Sequence, residues 1–273
     1  GNEAADAGGG AAVDVGARLV GDRALFASNL ARSGGGTASG GTLEVANTTF
    51  SANAGAERGG GVVVTAGSTT LGNVTIADNA TDGDGGGVAR TGGTLGLENA
   101  IVAQNRDEGG GPLSPDCSGT IVSAGHNLIG NGQGCVGPDA SMLDLVGAAG
   151  NPIDPMLEAL ADNGGQVRTH ALEPGSPAID NGGDCPGSDA RGAPRPIDGD
   201  GDGTATCDIG AFEAGVNVAT RTPTSTPSAT MTATATITPT HTSTPSATPT
   251  RTPTPEGTPT ATPTKTRFPT VGP

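Results

Sequence analysis

Apolar and polar positions along this chain repeat on two scales. Over a few residues they alternate. Leu43 and Val45, Val62 and Val64, and Leu95 and Leu97 are each separated by one residue, as in Gly-Thr-Leu-Glu-Val, which is the period of a half-buried strand. Over a longer distance Phe26, Phe50, Ile76 and Val102 recur, each three residues before Asn29, Asn53, Asn79 or Asn105. Gly triplets beginning at Gly8, Gly34, Gly59 and Gly85 return in step, so the unit repeats every 24–26 residues. Six residues before the first Asn column stands a second one, Asn47, Asn73 and Asn99, with Arg23 breaking it in the first unit. A unit of this length has no room for a helix of ordinary size and predicts about three short strands separated by turns.

A self-similar unit that cannot bury its own apolar face must stack on its neighbours, which makes the chain a solenoid. The all-β arrangement that fits is a parallel β-helix, in which each position recurs as a column one strand spacing, about 4.8 Å, higher. Inward aliphatics then form the core. Asn at a bend tolerates left-handed dihedrals, and its amide bonds to the Asn above and below. The Gly triplets serve corners that exclude a Cβ. No Gly-x-x-x-x-Gly-Lys accompanies them, so a phosphate cradle is not indicated. Asn47, Asn73 and Asn79 also match glycosylation acceptors, but a ladder would bury them. Asn2 lies six residues before Gly8, as Asn53 does before Gly59, so the expectation is that residue 1 falls inside a coil and that the sequence begins mid-repeat.

The regular triplets stop after Gly109-Gly110-Gly111. The segment Thr120-Ile121-Val122-Ser123-Ala124-Gly125-His126-Asn127-Leu128-Ile129-Gly130 still reads as strand, corner, strand, which predicts further coils. The run Asp154-Pro155-Met156-Leu157, Leu160-Ala161-Asp162-Asn163-Gly164-Gly165, Thr169-His170-Ala171-Leu172, Gly175-Ser176-Pro177-Ala178-Ile179-Asp180, Arg191-Gly192, Arg195-Pro196 and Cys207-Asp208-Ile209-Gly210-Ala211-Phe212-Glu213 resembles the bacterial choice-of-anchor Q domain over residues 112 to 215. That resemblance implies a right-handed parallel β-helix placed just before a surface-anchoring element. The upstream Phe-x-x-Asn and Gly-Gly units are similar to the repeats of polymorphic outer membrane proteins, which implies surface display and adhesion. Neither resemblance brings catalytic residues. The expected organisation is regular coils over 1–111, terminal coils and cap over 112–216, and a disordered stalk over 217–273.

That stalk is Thr, Pro, Ser and Ala, as in Thr252-Pro253-Thr254-Pro255, and it has too few hydrophobes to form a core. As an extended polyproline-II-like segment it would reach at most about 170 Å. O-glycosylated Thr and a bare linker are the alternatives there.

Charge narrows the partners. Up to Val216, 27 acidic residues stand against nine Arg, and the whole chain carries −15. So acidic a body repels nucleic acid and anionic lipid and favours cations. No run is long and apolar enough to span a membrane. Trp and Tyr are absent and Phe occurs four times, which counts against an aromatic sugar groove. A monomer is expected, with the cell wall or outer surface reached through the tail or a missing anchor. Ligands on a host surface, a biofilm or a polysaccharide are the binding partners in view.

Four Cys allow three pairings, of which 117–135 and 185–207 are the local ones, each worth about 3 kcal/mol in the chain-entropy picture. A Cys/His metal site is the rival, but no Cys-x-x-Cys spacing occurs. Disulfides imply an oxidising, extracellular or cell-surface setting.

Asp198, Asp200 and Asp202, followed by Gly203, place carboxylates at positions 1, 3 and 5 of a calcium loop. Position 12 is Ile209 where a bidentate Glu is needed, and Asp208 or Glu213 is the candidate substitute. Calcium binding and a solvated acidic turn stand as even alternatives. For catalysis the body offers His126 and His170, with no Gly-x-Ser-x-Gly elbow, and both read as structural. The dense charged group Asp78, Asp82, Asp84, Arg90, Arg106, Asp107 and Glu108 would be needed by a polysaccharide lyase or glycoside hydrolase. The expectation is a non-catalytic, secreted or cell-surface display scaffold of adhesin type, with the carbohydrate enzyme as runner-up and a purely structural spacer third.

Overall fold

The structure, a computed structural model, describes residues 1–109 and 113–215. These form a parallel β-solenoid whose walls are four sheets. The first holds Glu3–Ala7, Leu30–Ser33, Ala54–Arg58, Ala80–Thr81 and Arg106–Asp107. The second holds Ala11–Val13, Thr37–Ser39, Val62–Val64, Val88–Arg90, Cys117–Thr120 and Cys135–Val136. The third holds Arg18–Asp22, Thr42–Ala46, Ser68–Gly72, Thr94–Glu98 and Val122–Ser123. The fourth holds Leu25–Ala27, Thr49–Ser51, Thr75–Ala77, Ile101–Val102, Leu128–Ile129 and Leu145–Val146. Neighbours within each sheet run parallel, one coil apart, with register shifts only in the first sheet, and identical positions stack as in Leu19, Leu43, Thr69 and Leu95. Among the described residues no helix is long and apolar enough to cross a membrane.

Each full coil thus has four strands where the pattern predicts three. The additional strand follows the ladder Asn and turns only small residues inward, among them Ala31, Gly55 and Thr81. Without large apolar side chains it has no alternation to read.

The expected columns are present. Phe26 stacks on Phe50 with ring centroids 4.9 Å apart, and Ile76, Val102 and Ile129 continue the column. Gly8, Gly34, Gly59 and Gly85, each the first of its triplet, have φ between +60° and +72°, and a Cβ on Gly60 would lie 2.2 Å from the Ala80 carbonyl oxygen. The first Asn column is a directional ladder. Asn2, Asn29, Asn53 and Asn79 each donate backbone N–H and side-chain amide to Oδ1 of the next Asn, at 2.8–3.1 Å. Asn47, Asn73 and Asn79, the three glycosylation matches, are buried.

Within the 112–216 region expected to hold terminal coils and cap, the last stacked strand among the described residues is Leu145–Val146. Beyond it the chain makes isolated antiparallel bridges and no strands. Instead of stacking, this segment runs along the outer face of the fourth sheet. Ile209, Phe212, Leu172 and Ala178 pack there on Ile101, Ala103 and Leu128. The outward residues Ser51 and Thr75 are hydroxyls, which accept or donate bonds across that contact. The stalk expected over 217–273 lies outside the described residues.

Candidate functional site

The C-terminal segment carries His170, the acidic loop and the Cys185–Cys207 bridge. His170 is buried, its Nδ1 2.8 Å from the Glu158 carbonyl oxygen and its Nε2 2.9 Å from Ser51 Oγ. A carbonyl only accepts, so Nδ1 carries the proton and Nε2 takes the Ser51 hydroxyl proton in a hydrogen bond. This is a Ser-His pair in connectivity, but Ser51 is 1% exposed and His170 2%, so no substrate approaches it. Nothing in the sequence signals the contact, because its partners are 119 residues apart.

The Arg-Gly, Arg-Pro and Asp-Ile-Gly-Ala-Phe-Glu phrases converge into one buried ionic network. Arg191 pairs with Asp189 at 2.7 Å and lies 3.6 Å from the centroid of the Phe212 ring. Arg195 lies 3.3 Å from Glu213 and donates to Asn73 Oδ1 of the solenoid at 3.0 Å. Asp208 accepts from the backbone N–H groups of Asp180 and Ala214. Glu213 accepts from those of Ile197 and Asp208. Burial pushes the Asp208 carboxyl up to about 6 and that of Glu213 to about 7, against the opposing pull of these N–H donors and of Arg195. Such a network fixes one geometry, and breaking one side of a buried pair costs about 3–5 kcal/mol.

The acidic loop gathers differently from its spacing. Asp180, Asp198 and Asp200 offer carboxylate oxygens within 4.8 Å of one another, a group that could hold a metal ion. Asp202 is not among them, and its carboxylate caps the Thr204 N–H instead. The carboxylate that joins Asp198 and Asp200 is that of Asp180 rather than of Asp208 or Glu213, both of which are fully buried in the ionic network. Asp180 already receives N–H bonds from Gly199, Asp200 and Thr206, which draw the loop around it. An all-oxygen, carboxylate-rich donor set suits a hard cation such as calcium and not zinc.

Four of the other charged candidates make local contacts. Arg106 faces Glu108 at 3.5 Å, Asp107 accepts from the Gly109 and Ser114 N–H groups, and Arg90 donates to the Gly93 carbonyl. Both local disulfides are formed, Cys117–Cys135 and Cys185–Cys207. The second lines a cavity of about 660 Å³ between the third sheet and the C-terminal segment, together with Glu98, Asn99, His126 and Asp184. His126 Nδ1 is 2.9 Å from the Asn181 carbonyl oxygen at its edge.

No protein-family model, no curated protein and no solved structure matches the chain.

Proposed function

We propose that this chain is a non-catalytic display scaffold of the extracellular or cell-surface kind, adhesin-like in role. The observation that carries this reading is the fate of His170, the one His of the body with a Ser partner. Both its ring nitrogens are committed, and it lies sealed beneath the C-terminal segment. The motifs that resemble the choice-of-anchor Q domain follow the same logic: Arg191, Arg195, Asp208 and Glu213 bond to one another and to Asn73, a structural use of these residues. Two disulfides support an oxidising setting for the body. Calcium at Asp180, Asp198 and Asp200 would tie the acidic loop to the segment that clasps the solenoid.

The test is retention of the purified protein, with and without calcium, on host-cell and biofilm-matrix surfaces beside a polysaccharide panel read for released products. Surface retention without products supports the scaffold. Product release that disappears in Arg106→Ala establishes the polysaccharide-active enzyme in its place, and neither retention nor products leaves a structural spacer.

A further inference from the structure

The two disulfides occupy different surroundings. Cys117 is fully buried, and Cys135 packs against the solenoid core with its sulfur 3.6 Å from the Cys117 carbonyl oxygen. Cys185 is half-buried, as Cys135 is, but its bridge to the buried Cys207 forms part of the wall of the open cavity beside the third sheet. The same wall carries two carboxylates, Glu98 from the end of a third-sheet strand and Asp184 from the residue before the half-cystine. Neither is in an ion pair among the described residues.

We propose that Cys185–Cys207 is a thiol-exchange site, at which a small cationic thiol becomes attached to Cys185. Attack in thiol–disulfide exchange requires access to one sulfur and a path for the other to leave. Both half-cystines line the cavity, and Cys185 is the less buried of the two, so its Sγ is assigned as the sulfur attacked. The incoming thiolate forms a new S–S bond to it as the bond to Cys207 breaks, and the electron pair leaves on Cys207 Sγ. That sulfur takes up the proton that the incoming thiol gave to water, so one thiol is consumed and one is released, with no external oxidant or reductant.

The site survives its own opening. The loop bearing Cys185 is held independently by Gly183 N–H to Asn99 Oδ1 at 2.7 Å and by Asn99 Nδ2 to the Asp184 carbonyl at 2.7 Å. A third bond, Gly182 N–H to the Cys207 carbonyl at 2.6 Å, joins the two half-cystine strands through backbone. Exchange therefore needs no unfolding. Charge selects the thiol, because Glu98 and Asp184 raise the local concentration of a cation and lower that of an anion.

The experiment uses the full chain under native conditions at low ionic strength, with cysteamine as the cationic probe and mercaptoacetate as the anionic one. Each rate is normalised to that of the same thiol on a small reference disulfide, and products are mapped by mass spectrometry after alkylation. The expected result is a mixed disulfide on Cys185, alkylated Cys207 and an intact Cys117–Cys135 bridge. The expected preference for cysteamine is about tenfold or more, shrinking in 0.5 M salt as exposed charges are screened. Glu98→Gln with Asp184→Asn should cut that preference several-fold while leaving attachment at Cys185. The proposal is overturned if the two bridges open together, if Cys185–Cys207 reacts only in denaturant, or if the double variant keeps the full preference, which would assign selection to the overall negative charge.

Discussion

Asn105 donates both its backbone N–H and its side-chain amide to a single oxygen, Oδ1 of Asp116, at 3.0 and 2.9 Å. Every rung before it ends on an Asn, whereas this one ends on a carboxylate, which cannot pass the pattern on. Asp116 Oδ2 accepts the Asn131 N–H, and burial pushes the carboxyl up to about 6. A second short ladder ends alike, with Asn127 donating twice to Asp144 Oδ1. An acceptor-only residue thus ends both of these ladders.

Direction within the ladder predicts an asymmetry between its middle and its end. Asn79→Ala leaves two Asn53 donors without their oxygen and removes Asn79's own amide bonds, so it should cost about 2–4 kcal/mol and lower Tm by about 5–15 °C. Asn79→Asp keeps the acceptor but turns a carboxylate toward Asn105 Oδ1 and should cost more than Ala. At the terminus the preference reverses, because Asp116→Asn turns an NH2 toward N–H donors, either those of Asn105 or that of Asn131. Thermal unfolding of the three variants checks the order. If Asn79→Asp proves milder than Asn79→Ala, the ladder has no direction that matters.

Glu213, Asp208 and Asp116 all have carboxyls raised by burial, the reverse of the usual salt-bridged carboxylate. Between the unfolded value, about 4, and the folded values of about 6 to 7, the native state holds protons that the unfolded chain has released. Their contribution is therefore fully present below the unfolded value and is lost as pH rises through the folded ones. Stability should fall from pH 5 to pH 8, and Glu213→Gln should flatten that slope. Measuring Tm for both proteins across this range separates Glu213 from the general relief of acidic self-repulsion, which both share. Parallel slopes would remove Glu213 from the account.

Calcium, if bound, depends on a residue outside the motif that suggests it. Asp180→Asn should abolish calorimetric heat on titration with Ca²⁺, and Asp198→Asn should weaken it strongly, since both lie in the carboxylate group. Asp202→Asn should leave affinity within about twofold. Absence of heat in the unmodified protein at millimolar Ca²⁺ ends the calcium reading, and equal losses at Asp202 and Asp180 would restore the linear loop.

What was legible in the sequence follows from which contacts are periodic. Phe26, Phe50, Ile76 and Val102 announce their column because each is stacked on its own image, and the Asn ladder is readable for the same reason. Asp180 is silent, because 17 residues of irregular chain separate it from Asp198 and only the folded segment returns them to one place. The lateral path of that segment is silent too: Thr49, Ser51 and Thr75 look like solvent-facing strand positions, and their burial depends on a partner more than a hundred residues away.

That hidden contact gives the last prediction. Ser51→Ala removes the proton that His170 Nε2 accepts and leaves a buried nitrogen unsatisfied, a loss of about 1–3 kcal/mol. Because Ser51 faces outward from the fourth sheet while Phe50 faces the core, the solenoid interior is untouched. The effect should therefore appear as faster amide exchange across residues 148–215, with protection in the third sheet unchanged. His170→Ala should exceed it, since it adds a cavity beneath Leu172 and Ala171 to the lost bonds. Uniform loss of protection along the whole chain in Ser51→Ala would mean that segment and solenoid unfold as one unit, and that the clasp is part of the fold's nucleus rather than an addition to it.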